Sequence, residues 1–395
     1  YFHMLDPLKM FVQKLIIKRF SLLQNTLKKR WLTSYIPPKV KAITFNKHGP
    51  PTEVLRAVTY QLPPLTPTSL HLKFLASPIN PSDINQIEGV YPIKPNFKTL
   101  GEHEKIAVAG NEGVAQIIGV GDKVEDLKVG DWVVMGKSAF GTWRTHAEAT
   151  PDDVIRIPHE GIGIVKAATL TVNPCSAYRM LKDFAALKEG DFVIQNGANS
   201  GVGQAVIQIA KAWNINTINI IRDRPNFQEL KDYLKSIGAT YVISDKDLQA
   251  KNHEFEWNKD IVGKGIALGL NCVSGKGVIS MAKFLRHSSP LVTYGAMSRQ
   301  PLTIPASLLI FTNLKFFGFW MARWGNENPR SKRIEMLNDI IELIKQDKLR
   351  DAVCEENIWG INGKDDDDVL TRNFLEIFKK AVEEFRGKKQ LIKMI

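Results

Sequence analysis

Residues 192–203 read Phe192-Val193-Ile194-Gln195-Asn196-Gly197-Ala198-Asn199-Ser200-Gly201-Val202-Gly203: a short apolar run, then a turn of small residues. Beyond it, apolar side chains at Val202, Val206, Ile209, Ala210 and Trp213 repeat at the spacing of a helix face packed on a sheet. Glycines let a backbone turn sharply and bring its amides close to a pyrophosphate, and the helix that follows points its positive end at that anion. A glycine cluster alone is often no more than a loop. One with a strand before it and a helix after it reads as a dinucleotide cradle, Asn199, Ser200, Gly201 and Val202 being the residues placed against the cofactor. The unit fits a doubly wound parallel sheet of the Rossmann kind.

The next strand-like run, 217–221, ends in Arg222-Asp223-Arg224, about twenty residues beyond the turn, where an acid ordinarily holds an unphosphorylated adenosine ribose. Two guanidinium groups there can clamp a 2′-phosphate, which favours NADPH over NADH. The competing reading is a solvated loop in which Asp223 pairs with a neighbouring arginine, and Asp223 can still reach the ribose.

The remainder organises around this unit. With 395 residues, 44% apolar and 24% charged, the chain can bury two cores of ordinary size. From residue 39 to about 160, short β-branched runs such as Val40-Lys41-Ala42-Ile43-Thr44-Phe45, 70–75, 114–120 and 132–135 alternate with Pro, Gly and Asn, as antiparallel strands do. From about 164 the pattern alternates strand and helix, which favours a parallel sheet with crossover helices. A periodic helix over 331–345 precedes what reads as a short, mixed, charged tail. No run reaches the roughly eighteen apolar residues a membrane-crossing helix needs. Three cysteines, Cys175, Cys272 and Cys354, lie too far apart for a disulfide framework or a paired zinc lobe, which argues for a reducing compartment.

The net charge of +12 is unevenly spread. Residues 1–41 hold nine Lys or Arg against one acid, a net +8 that leaves +4 for the remainder. Within 8–32, apolar residues mix with spaced cations such as Lys14, Lys18 and Arg19, the composition of an amphipathic mitochondrial transit peptide rather than of a secretory signal with one unbroken apolar block. A surface helix that stays on the protein is the alternative. Ile36-Pro37-Pro38 ends whatever helix precedes it. The body's own cation clusters, Lys379-Lys380 and Lys388-Lys389, are too few to form the aromatic-interleaved basic stripe of a nucleic-acid binder, so no specific nucleic acid is expected.

Several blocks taken together carry a resemblance: Ser77-Pro78-Ile79-Asn80-Pro81-Ser82-Asp83-Ile84-Asn85-Gln86 running to Gly89-Val90-Tyr91-Pro92, Gly110-Asn111-Glu112-Gly113, Phe140-Gly141-Thr142-Trp143, Val172-Asn173-Pro174, Arg222-Asp223-Arg224 and Tyr294-Gly295-Ala296-Met297. From about Ala42 to Ile392 the chain resembles the medium-chain dehydrogenase/reductase superfamily, and within it the fungal mitochondrial trans-2-enoyl thioester reductases, the Tyr91 block being the discriminating one. The resemblance implies an α/β chain. A GroES-like β-rich catalytic domain would be built from 39–170 and 326–395, with a Rossmann domain over 171–325 and a transit peptide over 1–38. It also implies a homodimer without a metal, in the mitochondrial matrix. Zinc members of the superfamily carry a histidine where this chain has Asn111 and cysteines where it has Ser82 and Asn173, and these side chains lack the soft or imidazole donors that zinc prefers. His103, in Gly101-Glu102-His103-Glu104, is expected in a loop on the surface, some eight residues too early for that motif.

The implied reaction is NADPH-dependent reduction of a 2,3-enoyl thioester carried by acyl carrier protein or coenzyme A, in mitochondrial fatty acid synthesis. Tyr91 would be the proton donor to the enolate left after hydride reaches the β carbon. Unaided, Tyr91 reads equally well as a half-buried structural tyrosine. Asn173 is implied against the cofactor, though alone it reads as a helix cap ahead of Pro174. Tyr294, Gly295, Ala296 and Met297 end a later strand at the edge where such sheets bind ligands. Phe319, Trp320 and Met321 are implied as a nicotinamide and acyl-pocket wall, against the commoner reading of such a run as core, and Lys389 as a cofactor neighbour against that of a solvated tail cation. The rivals are a quinone or alkenal reductase of the same superfamily and a non-enzymatic NADPH- and nucleic-acid-binding protein.

Overall fold

The computed structural model describes residues 37–250, 255, 257–350, 353–360, 367–384 and 389–394. The transit peptide expected over 1–38 falls almost wholly outside them.

Six strands, Phe192–Asn196, Asn216–Ile221, Tyr241–Ser244, Leu268–Asn271, Pro290–Thr293 and Lys315–Gly318, pair in parallel throughout. In space their order is third, second, first, fourth, fifth, sixth. The chain therefore builds outward on one side of Phe192–Asn196 and then returns to build on the other. The carboxyl ends of the first and fourth strands, at Asn196 and Asn271, flank the reversal point where sheets of this kind open a ligand crevice. Helix Gly201–Ala212 follows the first strand, and its apolar stripe behaves as its spacing requires: Val206, Ile209 and Ala210 are fully buried.

The other half is antiparallel apart from one parallel pair. Strands Leu70–Pro78, Val114–Val120, Trp132–Met135 and Val154–Ile157 follow one another across a sheet, with His146–Ala149 also paired to Leu70–Pro78. A second, smaller sheet joins Lys39–Phe45 to Arg56–Gln61 and His103–Val108, the last of which pairs with Lys98–Leu100. The segment at His103, expected as loop, is thus strand.

The expected charged tail is also overturned. Strand Cys354–Trp359 and strand Lys389–Met394 pair in parallel, and the latter runs antiparallel to Leu70–Pro78. Between them lies helix Asp367–Glu384, which buries Leu370, Phe374, Phe378, Ala381 and Val382. Those positions repeat every three or four residues, a stripe diluted by Glu and Lys on the opposite face, so composition hid what periodicity contained. Phe378 packs tilted at 4.9 Å on the fully buried Trp143, and Phe374 lies 4.8 Å from Trp359. The last segment of the chain is therefore an interior strand beneath the first third.

Helix Arg330–Lys345 packs on helix Asn173–Asp183 through Met336, Leu337, Ile340, Ile341 and Ile344. Its Arg333 donates to the carbonyl of Met135 at 3.2 Å, at the end of a strand of the antiparallel sheet.

Candidate active site

The glycine turn is built for close approach. A Cβ at Gly203 would stand 2.5 Å from the Ala198 carbonyl oxygen, so any side chain there would push the turn off its helix. A Cβ at Gly201 would stand 2.5 Å from the Asn173 amide nitrogen, which shows that Asn173 lies directly on the turn. Ser200 caps the helix by accepting from the Gly203 amide at 3.2 Å, and Gln204 donates to the Asn199 carbonyl at 2.9 Å. Val202 is half-buried.

Beneath the turn, two buried asparagines span the reversal point. Asn196 donates to the Asn271 side chain at 2.8 Å, and the Asn196 side-chain oxygen accepts from the Cys272 amide at 2.8 Å. Asn271 in turn donates to Thr293 at 3.1 Å and accepts from the Ser274 amide at 3.0 Å. This chain of amides locks the carboxyl ends of three strands together. Nothing in residue order announces it, because a lone Asn after a strand ordinarily reads as a turn residue.

At the neighbouring strand end, Arg222 and Asp223 are exposed and Arg224 is half-buried. Asp223 lies 3.8 Å from Lys246, and its amide donates to Asp245 at 2.8 Å, so the carboxylate's partner is a lysine and not one of the flanking arginines. Arg224 keeps a buried Nε without a hydrogen-bond partner among the described residues. A buried donor left unmatched is costly, and an anion is the partner a guanidinium fits best.

Tyr294 follows strand Pro290–Thr293, its amide donating to the Asn271 carbonyl at 2.9 Å. Its hydroxyl is buried near Cys272 and Ser200 without a well-formed hydrogen bond among the described residues, and burial pushes the phenol well above its ordinary value. Gly295 packs on Cys272, while Ala296 and Met297 are exposed. Phe319 donates its amide to the Thr293 carbonyl at 2.9 Å and lies in the core against Phe184; Trp320 and Met321, beside it, are half-buried.

Tyr91 comes from the other half. Helix Pro81–Ile87 ends just before it, and the Asn85 carbonyl accepts from both the Val90 amide at 2.9 Å and the Tyr91 amide at 3.1 Å. Its ring meets Trp320 edge-on at 5.7 Å, and Trp320 Nε1 donates to the Tyr91 hydroxyl at 2.7 Å. The indole nitrogen can only donate, so this bond occupies a lone pair of the phenol and leaves the phenolic hydrogen free for another acceptor. Burial, chiefly, raises the Tyr91 phenol above its usual value; the Trp320 bond opposes the shift and the Asp83 charge adds to it. A pairing with Trp320 went unread in the sequence, where the two residues stand 229 positions apart.

Behind the tyrosine loop sits a buried polar cluster. Asp83 accepts from the Asn80 amide at 2.8 Å and from Asn111 through its amide at 3.0 Å and its side chain at 2.7 Å. Burial pushes the Asp83 carboxyl up to about 6, against those hydrogen bonds and the Lys389 charge, which pull it down. Lys389 donates to the Asn80 side-chain oxygen and is neither a solvated tail cation nor seen against the glycine turn.

Family models for the alcohol dehydrogenase GroES-like domain and for the zinc-binding dehydrogenase match residues 66–159 and 201–339. The mitochondrial enoyl-[acyl-carrier-protein] reductase of Schizosaccharomyces pombe is 41% identical over 90% of this chain and 95% of its own length; that of Homo sapiens is 40% identical over 91% and 90%. The chain belongs to the mitochondrial enoyl thioester reductase family. Among solved structures similar to this family member, the Etr1p/Etr2p heterodimer from Candida tropicalis has a TM-score of 0.83 at 40% identity, and Etr1p in complex with NADP and crotonyl-CoA has 0.83 at 39%. Each alignment covers 90% of this chain and all of the other. A quinone reductase from Bacillus thuringiensis at 22% identity, TM-score 0.73, shares the fold.

The zinc in the name of one family model does not fit this member of the reductase family. The Asn111 amide is fully engaged, donating to Asp83 and to Gln86 at 3.1 Å and accepting from the Ala139 amide at 2.7 Å. Among the described residues no three His, Cys, Asp or Glu side chains converge on a metal-sized site.

Proposed function

We propose that the chain reduces trans-2-enoyl thioesters to saturated acyl thioesters with NADPH, Tyr91 supplying the proton. The observation that carries this reading is the Trp320–Tyr91 hydrogen bond, which brings a phenol from the β-rich half to the carboxyl edge of the nucleotide-type sheet. The residues at that edge suit the cofactor: a turn that admits no Cβ at Gly203, the unmatched Arg224 donor for a 2′-phosphate, and Asn173 and Tyr294 beside the turn. When bound, NADPH supplies a hydride for the β carbon of the enoyl group.

The charge then lies on the thioester oxygen as an enolate, and the phenolic hydrogen of Tyr91 passes to the α carbon. A phenol whose proton is held more tightly than usual does not ionise near neutral pH, so it waits for a base as strong as an enolate. Trp320 aims the hydroxyl and, as a donor, steadies the phenolate left behind. Met297, Phe319, Met321 and Lys389 join the residues of the turn in the proposed cofactor and acyl site, and the proposed domains are 39–170 with 326–395 and 171–325.

The relatives are mitochondrial by name, and the chain is placed in the mitochondrion with them; we assign it to the matrix, with residues 1–38 as transit peptide. The substrate thioester is carried by acyl carrier protein or coenzyme A. We also assign a homodimer. Strand Lys315–Gly318 ends its sheet with one edge unpaired among the described residues, and Ile310, Phe311 and Phe317 are exposed nearby, Phe311 to 79%. Open edges and apolar patches of this kind are what subunit interfaces cover. No helix among the described residues is long and apolar enough to cross a membrane.

NADPH consumption with crotonyl-CoA, a longer trans-2-enoyl-CoA and a simple quinone tests the reading. Thioester turnover with little quinone turnover is expected; quinone turnover alone would overturn it.

A further inference from the structure

Glu112 is fully buried at the join between the two halves, and the chemistry above makes no use of it. No ion pair reaches its carboxylate among the described residues. Both oxygens are nevertheless satisfied: one accepts from the Asn80 side chain at 2.8 Å, the other from the Val172 amide at 2.8 Å and the Thr171 hydroxyl at 3.2 Å. The Asn80 amide faces two ways, its nitrogen donating to Glu112 and its oxygen accepting from the Lys389 ammonium. The arrangement is a half-buried cation and a buried anion joined through one neutral side chain, with all three residues in the β-rich half.

What the relay grips lies on the other side. Val172 is the N-cap of helix Asn173–Asp183, and the next residue, Asn173, lies on Gly201. We propose that Glu112, held by Asn80 and Lys389, is a positioning residue: it pins Val172 so that Asn173 sits against the glycine turn, and it thereby couples the C-terminal strand to cofactor binding. Val172 has no polar side chain, and its amide belongs to the first turn of a helix, where no carbonyl of the helix can accept from it. A carboxylate is the acceptor that fixes such an amide most firmly. Asn80 also begins the helix that leads to Tyr91, so one cluster sets the position of both the proton donor and the cofactor neighbour.

The relay has a chemical signature that a merely space-filling residue lacks. Glu112→Gln keeps the shape but turns one acceptor into a donor, which then faces either the Asn80 NH2 group, held in place by Lys389, or the Val172 amide, so one side of the grip must fail. Adding Asn80→Asp restores every bond with the charges exchanged. The new carboxylate accepts from Lys389 and from the new amide, whose oxygen accepts from Val172 and Thr171.

The test measures NADPH Kd by fluorescence titration, crotonyl-CoA kinetics at saturating NADPH, and Tm, all on the full chain. Glu112→Gln is expected to raise the NADPH Kd about tenfold, the loss of one charge-assisted hydrogen bond, with a smaller fall in kcat; the pair Asn80→Asp with Glu112→Gln should return Kd to within about threefold of wild type. An unchanged Kd in the single variant, or a pair no better than the single, overturns the proposal. A lowered Tm with an unchanged Kd for the folded fraction does so as well, because it makes Glu112 structural only. Should Glu112→Gln fail to fold, Thr171→Val removes one donor alone; about a threefold rise in Kd is then expected, and no rise overturns the proposal. The proposal rests on the NADPH reading of the site but not on the substrate. Wild-type protein that binds NADPH without turning over crotonyl-CoA defeats the function proposed above and leaves the Kd comparison to decide this one.

Discussion

The glycine turn at 197–203 and the tyrosine loop at 88–92 serve the same cleft and are built in opposite ways. The turn is a local object: a strand, three glycines, a serine cap and an amphipathic helix lie within about twenty residues, and each acts on its near neighbours in the chain. The tyrosine loop depends on distant chain. Tyr91 is oriented by Trp320, its helix is anchored on Asn111, and the cluster behind it is closed by Lys389 from the last strand. A local device tolerates change elsewhere, whereas an assembled one answers to every segment that supports it.

The sharpest way to break the contrast is Tyr91→Phe. Removal of one hydroxyl is expected to lower kcat by about 10²-fold or more while the NADPH Kd stays within a factor of about two; near-normal kcat would take the proton-donor role from Tyr91. Phe378→Ala probes the assembled side at a distance. Emptying a site fully buried against Trp143 should cost about 3–5 kcal/mol in urea denaturation, with activity failing along with the fold of the β-rich half. A variant with Phe378→Ala that lost less than about 1 kcal/mol would mean the C-terminal helix is not integral to that core.

On the local side, Arg222→Ala with Arg224→Ala should raise the KM for NADPH by about tenfold or more and leave that for NADH nearly unchanged. If both rise equally, the arginines do not read the 2′-phosphate.

The smallest expected effect separates two buried titrating groups of the β-rich half. Burial, with Lys73 and His71 nearby, lowers His146 to about 4, so its contribution to stability is whole above the unfolded value near 6.5 and is lost as pH falls from there towards 4. Asp83 works in the opposite sense. Held near 6 by burial, it binds its proton more tightly folded than unfolded, and stability falls as pH rises from about 4 to about 6. The two slopes offset each other. In denaturation curves between pH 4 and 6.5, Asp83→Asn should make stability rise more steeply with pH and His146→Gln should make it rise less or fall. Identical slopes in all three proteins would deny both shifts.

This division also explains what could be read from residue order alone. The alternation of strand and helix after 164, the strands at 114–120 and 132–135, and the cradle itself were legible because periodicity and glycine placement act over a few residues. The tail was misread because the charged residues of 367–384, Glu and Arg with Asp and Lys, outnumber its apolar stripe in composition though not in spacing. The segment around His103 was misread because a short hairpin strand lacks a long enough run to declare itself. Of the site, Tyr91 could be singled out only through resemblance, and its bond to Trp320 not at all. Glu112 stood in a quoted Gly-Asn-Glu-Gly turn with no hint of a partner at Val172, because nothing in local order announces a hydrogen bond across 60 positions. Phe319 lies in the core, as the plainer of its two readings has it.

Strand Lys389–Met394 pairs with Leu70–Pro78, although more than three hundred residues separate them. A ribosome or an import channel delivers this chain in order, so everything needed for the nucleotide-type sheet, from Phe192 to Gly318, has emerged while the seat beside Leu70–Pro78 is still vacant. That seat is an unpaired apolar edge for as long as delivery lasts, the kind of surface on which nascent chains aggregate or recruit chaperones. The enzyme therefore completes its parallel sheet early and its β-rich half last, and a premature stop between residues 318 and 389 yields that sheet without the strand and the Lys389 ammonium that close the cluster behind Tyr91.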